Sequence, residues 1–310
     1  MRWTAADIPD QSGRTVLVTG ANSGLGLRSA EAMARAGATV LMGCRNETKG
    51  KVALDLVREV ATGPEPELIA LDLSELDSIS AAVADVGARA DKLDVLMNNA
   101  GVMAIPLRRN SAGYEMQFAT NHLGHFALTG MLLPLLLSAD APRVVTTSSM
   151  MHRVGVMRWG DLNFEQRYSK WLAYGQSKLA NLLFTYELDR KARAAGSDLL
   201  AAAAHPGYAA THLQEAGAQM TGGVLRTVRT VGWSALNSAI GQSDALGALP
   251  QLYAATAPRV EGGQYFGPRV LEWRGLPRQV GSSRRSRNQD DARRLWAESE
   301  ELTGVRYRFT

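Results

Sequence analysis

The sequence predicts an α/β fold: a doubly wound parallel sheet of about seven strands with helices on both faces. Short apolar, β-prone runs alternate with longer stretches of helical periodicity along most of the chain. The strand candidates show little polar alternation, the mark of strands covered on both faces. No repeat or low-complexity linker breaks the rhythm, and 310 residues suffice for one sizeable core.

TVLVT (15–19) reads as the first strand and LRSAEAMARAG (27–37) as the helix after it. ATVLMG (38–43) is the second strand, followed by a helix from Thr48 to about Val60. ELIALDL (67–73) leads into the helical 74–90, and KLDVLMNNAG (92–101) carries the fourth strand. A long helix is expected from Gly113 to Leu137, a fifth strand in RVVTTSS (143–149), and a helix from about Trp171 to Ala194. DLLAAAAHPG (198–207) is the sixth strand and GQYF (263–266) the seventh. A polar, aromatic-bearing insert (150–170) and a glycine-bearing irregular stretch (212–240) break the pattern. Loops at the carboxyl ends of strands are natural substrate walls, although plain surface loops fit the same composition. We expect one domain over 1–310. Its cofactor half covers about 14–148, its catalytic and substrate half about 149–270, and a C-terminal extension about 271–310.

Composition narrows the function. Hydrophobic residues make up 45% and charged residues 21%, an ordinary globular balance. The net charge of +4 suits an anionic small molecule. No basic stripe with interleaved aromatics accompanies it, so no nucleic-acid partner is expected. The single cysteine, Cys44, excludes an intrachain disulfide and a Cys-based zinc site. A reducing, cytoplasmic setting fits. No apolar run approaches a membrane span.

TGANSGLG (19–26) follows the first strand directly and opens a helix. Gly20 permits a sharp turn, and Gly24 and Gly26 let backbone approach a pyrophosphate at the helix N-terminus. There the unpaired N–H groups and the helix dipole favour negative charge. Asn22, Ser23 and Leu25 complete this candidate cofactor turn, which makes the fold a Rossmann fold. At the end of the second strand, NAD sites place an acid; here GCRN (43–46) offers Arg45. A guanidinium suits a 2′-phosphate, so NADP(H) is favoured over NAD(H), with Glu47 nearby opposing. Asp72 and Leu73 after the third strand, and Asn99, Ala100 and Gly101 after the fourth, are further cofactor candidates. The plainer readings are a solvated loop arginine at 45, and a helix N-terminus with Asp72 as its acid or Ser74 as its cap.

Together these residues resemble the short-chain dehydrogenase/reductase family. Its features occur in order: TGANSGLG (19–26), LDLS (71–74), NNAG (98–101), Asn121, Ser149, Tyr174-x-x-x-Lys178 and PGYAAT (206–211). MQFATNHLGHFALT (116–129), SSMMHRVG (148–155) and AYGQSKLANLLFTYEL (173–188) are similar to the retinol dehydrogenase-like and protochlorophyllide reductase-like subgroup. The N-terminal apolar segment of the membrane-anchored retinol enzymes has no counterpart here.

The resemblance implies a catalytic set of Asn121, Ser149, Tyr174 and Lys178. Tyr174 and Lys178, four apart, share a helix face, where an ammonium can lower the phenol's pKa. The resemblance makes Tyr174 the general acid/base and Ser149 the group polarising the substrate oxygen. Lys178 would also hold the nicotinamide ribose, and Asn121 would orient a water and Lys178. Asn121 as a buried helix asparagine bonding backbone is the plainer reading. Ser148 would point to the opposite face. Pro206, Gly207 and Thr211 would hold the nicotinamide carboxamide.

No metal is expected, because His122 and His125 lack a third ligand at metal spacing. His152, His205 and His212 have open roles. Residues 284–296 read as a solvated, mixed-charge helix. Leu213, Met220, Val224 and Trp233 suggest a lipophilic carbonyl/alcohol substrate. The resemblance implies a homodimer or homotetramer paired through the tyrosine helix and its predecessor. The alternative functions are a catalytically silent dinucleotide-binding sensor or interaction protein and, ranked lower, a sugar-nucleotide epimerase or dehydratase.

Overall fold

The computed structural model describes residues 2–207 and 242–309. Its strands are β1 (Thr15–Thr19), β2 (Thr39–Cys44), β3 (Glu67–Ala70), β4 (Val95–Asn98), β5 (Arg143–Thr147), β6 (Leu200–Ala204), β7 (Tyr265–Val270) and β8 (Arg274–Gln279). They form one sheet in the order β3-β2-β1-β4-β5-β6-β7-β8. β1 to β7 run parallel, with Val16 opposite both Val40 and Val95. β8 pairs antiparallel with β7. The sheet therefore has eight described strands rather than about seven. RGLPRQ (274–279) does not read as a strand because it carries a glycine, a proline and two arginines. Those residues are tolerated at a sheet edge.

Period-two alternation divides each strand between two cores. Val16, Val18, Val40, Met42, Val95 and Met97 face α1 (Gly24–Arg35), α2 (Glu47–Arg58) and α8 (Asp244–Thr256). Leu17, Leu41, Ile69, Leu96, Val144 and Ala201 face the other side. That side is covered by α3 (Leu76–Arg89), α5 (Gly124–Met131), α7 (Lys170–Ala194) and α9 (Gln289–Thr303). The order reverses between β1 and β4, which opens a crevice at their carboxyl ends.

The expected Gly113–Leu137 helix is broken. It consists of α4 (Met116–Phe118), a π turn (Ala119–Leu123), α5, and α6 (Leu133–Leu137). Gly124 explains the tight seat of this run, since a Cβ there would lie 2.0 Å from the Leu73 carbonyl oxygen. α8 escapes sequence reading because Gly247 and Pro250 lie within it.

The 284–296 stretch is not simply solvated. Its charges face water, but α9 buries Ala292, Leu295 and Trp296. Trp296 stacks on Phe184 of α7 with centroids 5.9 Å apart, and Tyr307 Oη donates to the Phe126 carbonyl at 2.6 Å. α7 is thereby buried on nearly every side from Ala173 to Asp189. The 150–170 insert also contributes to packing: Met157 and Phe164 are buried, and Met157 joins a cluster with Leu179, Leu183 and Leu295. Among the described residues no helix is long and apolar enough to cross a membrane.

Candidate active site

The glycine turn begins where β1 ends. Gly20 and Gly24 have φ of +68° and +55°, a backbone state that side chains disfavour. A Cβ on Gly26 would fall 2.3 Å from the Gly20 carbonyl oxygen, so only glycine lets α1 start this close to the turn. Ser23 is the N-cap of α1 yet makes no capping bond, and Leu25 is buried beneath. Asn22 lines a shallow cavity with Thr48 and Lys49 of α2.

Thr19 ties this turn to the end of β4. Its hydroxyl oxygen accepts the N–H groups of Asn99 and Ala100, each at 3.0 Å. Its proton is then free for His125 Nε2 at 3.0 Å, while His125 Nδ1–H donates to the Asn121 carbonyl at 3.0 Å. Burial pushes the His125 imidazole down to about 4, which keeps it in this neutral form. Gln251 of α8 bonds Ser29 of α1 at 2.7 Å, Asn99 at 3.1 Å and Thr147 at 2.7 Å. Gln251 is not legible as part of the site in sequence, because no motif marks it, and His125, though within the 116–129 segment, gives no local sign of its contact with Thr19. Gln251 lies more than a hundred positions from each of these partners.

Arg45 is exposed, with Nε 3.9 Å from Asp72 Oδ2. Asp72 Oδ1 accepts the Ser74 N–H and hydroxyl at 2.9 and 2.7 Å, so Ser74 does not cap α3; Glu75 occupies that position. Leu73 is buried at the seat of Gly124.

Tyr174, Lys178 and Ser149 converge where β5 ends. Ser149 caps the short 3-10 turn Met150–Arg153, its hydroxyl accepting the Met151 N–H at 3.2 Å. That hydroxyl is also near enough to the Tyr174 phenol to lower its pKa in part. Lys178 Nζ donates to the Thr147 carbonyl at 3.0 Å and lies 5.8 Å from the Tyr174 ring centroid. Burial decides both pKa values. It pushes the Tyr174 phenol up to about 12, only partly offset by Ser149, and Lys178 down to about 8. The lowering of the phenol expected from its lysine neighbour is not seen: burial raises it, and Ser149 is the group that offsets the rise in part.

Asn121 sits in the π turn, clasping both the N–H and C=O of Val102 (2.8 and 2.9 Å) and donating to Ser177 Oγ at 2.9 Å. Its side chain bonds backbone, as the plainer reading has it, and it meets Lys178 only across Gly101. A Cβ on Gly101 would lie 3.0 Å from Asn121 Oδ1 and 3.5 Å from Lys178 Nζ. Ser148 turns away and donates to the Lys178 carbonyl at 2.8 Å.

Pro206 and Gly207 follow β6; Gln242 bonds the Pro206 carbonyl and Gly207 has φ +72°. Thr211, His212, Leu213, Met220, Val224 and Trp233 lie outside the described residues. His122 is buried against Ser299 Oγ at 2.8 Å. Among the described residues, no three His, Cys, Asp or Glu side chains gather as metal ligands.

A family model described as short chain dehydrogenase matches residues 14–221. The chain is 39% identical to human retinol dehydrogenase 14, covering 94% of this chain and 87% of that protein. It is 37% identical to mouse polyprenol dehydrogenase, covering 96% and 86%. Among solved structures it resembles an uncharacterised Mycobacterium paratuberculosis protein at 43% identity and TM-score 0.80, covering 99% and 100% of the two chains. It also resembles a Shigella flexneri short chain dehydrogenase complexed with NADP, at 25% identity and TM-score 0.64, covering 84% and 98%. The chain belongs to the short-chain dehydrogenase family of NAD(P)-dependent oxidoreductases, acting on an alcohol/carbonyl pair.

Proposed function

We propose that this enzyme interconverts a carbonyl and an alcohol on a small lipophilic molecule with NADP(H), and that Tyr174 is its general acid/base. The convergence of a phenol, an ammonium and a hydroxyl at the end of β5 carries this reading. A phenol held near 12 keeps its proton at neutral pH, which suits donation to a carbonyl oxygen during reduction. The Ser149 hydroxyl polarises that oxygen. In oxidation the phenol must release its proton, and positive charge from Lys178 favours that release. Asn121 holds the loop after β4 at Val102 and, across Gly101, the wall beside Lys178.

The dinucleotide fits the residues present. Gly20, Asn22, Ser23, Gly24, Leu25 and Gly26 would hold its pyrophosphate, because the α1 N-terminus carries no capping side chain to compete. Asp72 and Leu73 would border the adenine, and Asn99, Ala100 and Gly101 its ribose side. Lys178 would hold the nicotinamide ribose, and Pro206, Gly207 and Thr211 the carboxamide. When bound, the cofactor supplies or accepts the hydride. The preference for NADP(H) rests on Arg45, exposed just after β2 with Asp72 beside it. The names retinol and polyprenol dehydrogenase among the relatives support an apolar substrate. For assembly, we favour a chain that does not pair through α5 and α7, since α9 and Tyr307 already cover them. The one cysteine, Cys44, is free and buried, in keeping with a cytoplasmic setting.

The test is oxidation of NADPH and NADH against a panel of apolar aldehydes and ketones. NADPH-dependent reduction is expected, with Tyr174→Phe slower by at least about 10²-fold and its NADPH affinity retained. Equal activity in Tyr174→Phe would remove the mechanism. Tight NADPH binding without turnover in the unsubstituted protein would favour a silent sensor.

A further inference from the structure

The chemistry proposed above requires two turns to hold still relative to each other: the one opened by Ser149, and Pro206–Gly207. A third element touches both. The hairpin joining β7 to β8 reverses through Leu271 and Glu272, closed by Trp273 N–H donating to the Val270 carbonyl at 2.9 Å. Both central residues are left-handed, at φ +50° and +62°. Asn-Gly is the pair this conformation favours; leucine and glutamate there are strained. Such strain persists where surrounding contacts over-determine it, and functional sites are where it gathers. Leu271 is 85% exposed, so its side chain does not hold the turn.

Glu272 does. Its two carboxylate oxygens each accept from Arg153 Nη2 at 2.9 Å. Arg153 ends the 3-10 turn that Ser149 opens, and His152 beside it donates through Nδ1 to the Ser149 carbonyl at 2.6 Å. On its other side, Glu272 Oε2 faces His205 Nε2 at 3.5 Å, an electrostatic contact rather than a formed hydrogen bond. His205 Nδ1 accepts the Gly207 N–H at 3.2 Å, which leaves its proton on Nε2, facing the carboxylate. The imidazole is buried against Gly267, where a Cβ would fall 2.0 Å from Nε2. The hairpin backbone also presses on the second turn: a Cβ on Gly207 would lie 2.4 Å from the Trp273 carbonyl oxygen.

We infer that Glu272 is a positioning residue. Its carboxylate clamps the serine turn, through Arg153, to the Pro206–Gly207 turn, through His205. The inference rests on the carbonyl-reductase reading for what the two turns do, not for the clamp itself. His205 and Arg153 hold the carboxyl down to about 2, so the clamp is charged at any assay pH.

Three variants test it: Glu272→Gln, Leu271→Asn, and the double variant Leu271→Asn with Glu272→Gly, which gives the turn its preferred pair. Each is compared with the unsubstituted protein by thermal midpoint, by kcat and KM for NADPH-dependent reduction, and by amide hydrogen exchange at 149–153 and 205–207. The double variant is expected to melt within a few degrees of the unsubstituted protein. Its kcat should fall about tenfold and exchange in both segments should quicken about as much. Glu272→Gln should follow it, and Leu271→Asn should keep the full rate. A double variant with unchanged kcat and exchange overturns the clamp, as does a Glu272→Gln whose rate falls only in step with its melting temperature. If the unsubstituted protein reduces no carbonyl, the functional reading fails while the exchange data still decide the clamp.

Discussion

Lys178 is buried beside a phenol, and its ammonium donates to the Thr147 carbonyl. Burial lowers its folded pKa to about 8 from 10.5, so the unfolded chain binds the proton more tightly between those values. The residue's burial is therefore least costly at high pH, while its charge is retained only below about 8. We expect kcat for reduction to hold below pH 8 and decline above it, read from a pH–rate profile; Lys178→Arg should move that decline upward. Arg45 tests a different contact. Charge-assisted hydrogen bonds contribute about 1.5–3 kcal/mol, so Arg45→Ala should weaken NADPH roughly 10- to 100-fold and leave NADH nearly unchanged in a fluorescence titration. Tyr174 and Lys178 were legible because one helical turn fixes their spacing, and the glycine turn because its residues are contiguous. Glu272, His125 and Gln251 were not. Their meaning lies in partners brought up by the fold, and nothing local marks an Asp/Glu, His or Gln that will meet them.

Elements place these residues, and glycines decide how closely they can do so. Gly26→Ala would drive a methyl group to 2.3 Å from the Gly20 carbonyl oxygen, a distance no Cβ tolerates. The variant is expected to lose dinucleotide affinity by at least about tenfold while keeping its far-UV circular dichroism, since α1 shifts rather than melts. Strand and helix existence was readable wherever period and apolar content agreed, as in β1 and α7. It failed at β8, an edge strand whose Gly275 and Pro277 argue against it, and at the π turn, where a five-residue irregularity is invisible to helical periodicity. The packed side of α9 was also missed, because its arginines and acids outnumber its three apolar contacts. Trp296 stacks on Phe184 and lies 4.5 Å, centroid to centroid, from Tyr307. Trp296→Ala should cost roughly 3–5 kcal/mol in urea unfolding.

At the scale of the whole molecule, the two cores contain several neutral imidazoles. Burial holds His122 near 3 and His125 near 4, both well below the 6.5 of a free histidine. The unfolded chain binds more protons than the folded one between those values, so stability falls as pH falls below 6.5. The loss is about 1.4 kcal/mol per pH unit for each group, continuing towards pH 4. The thermal midpoint should therefore drop steeply between pH 6.5 and 4.5, and His122→Phe should blunt the drop. The doubly wound topology itself was legible, because alternating strands and helices admit few other arrangements.

The aromatic seal that Trp296 and Tyr307 form over α5 and α7 has a consequence for biosynthesis. Translation delivers β1 to β6 and their helices long before residues 289–309 exist. A nascent chain therefore carries a bare aromatic flank until those residues have been made. A ribosome stalled short of that point would present the species most prone to stick to its neighbours, and the place where a chaperone has most to cover.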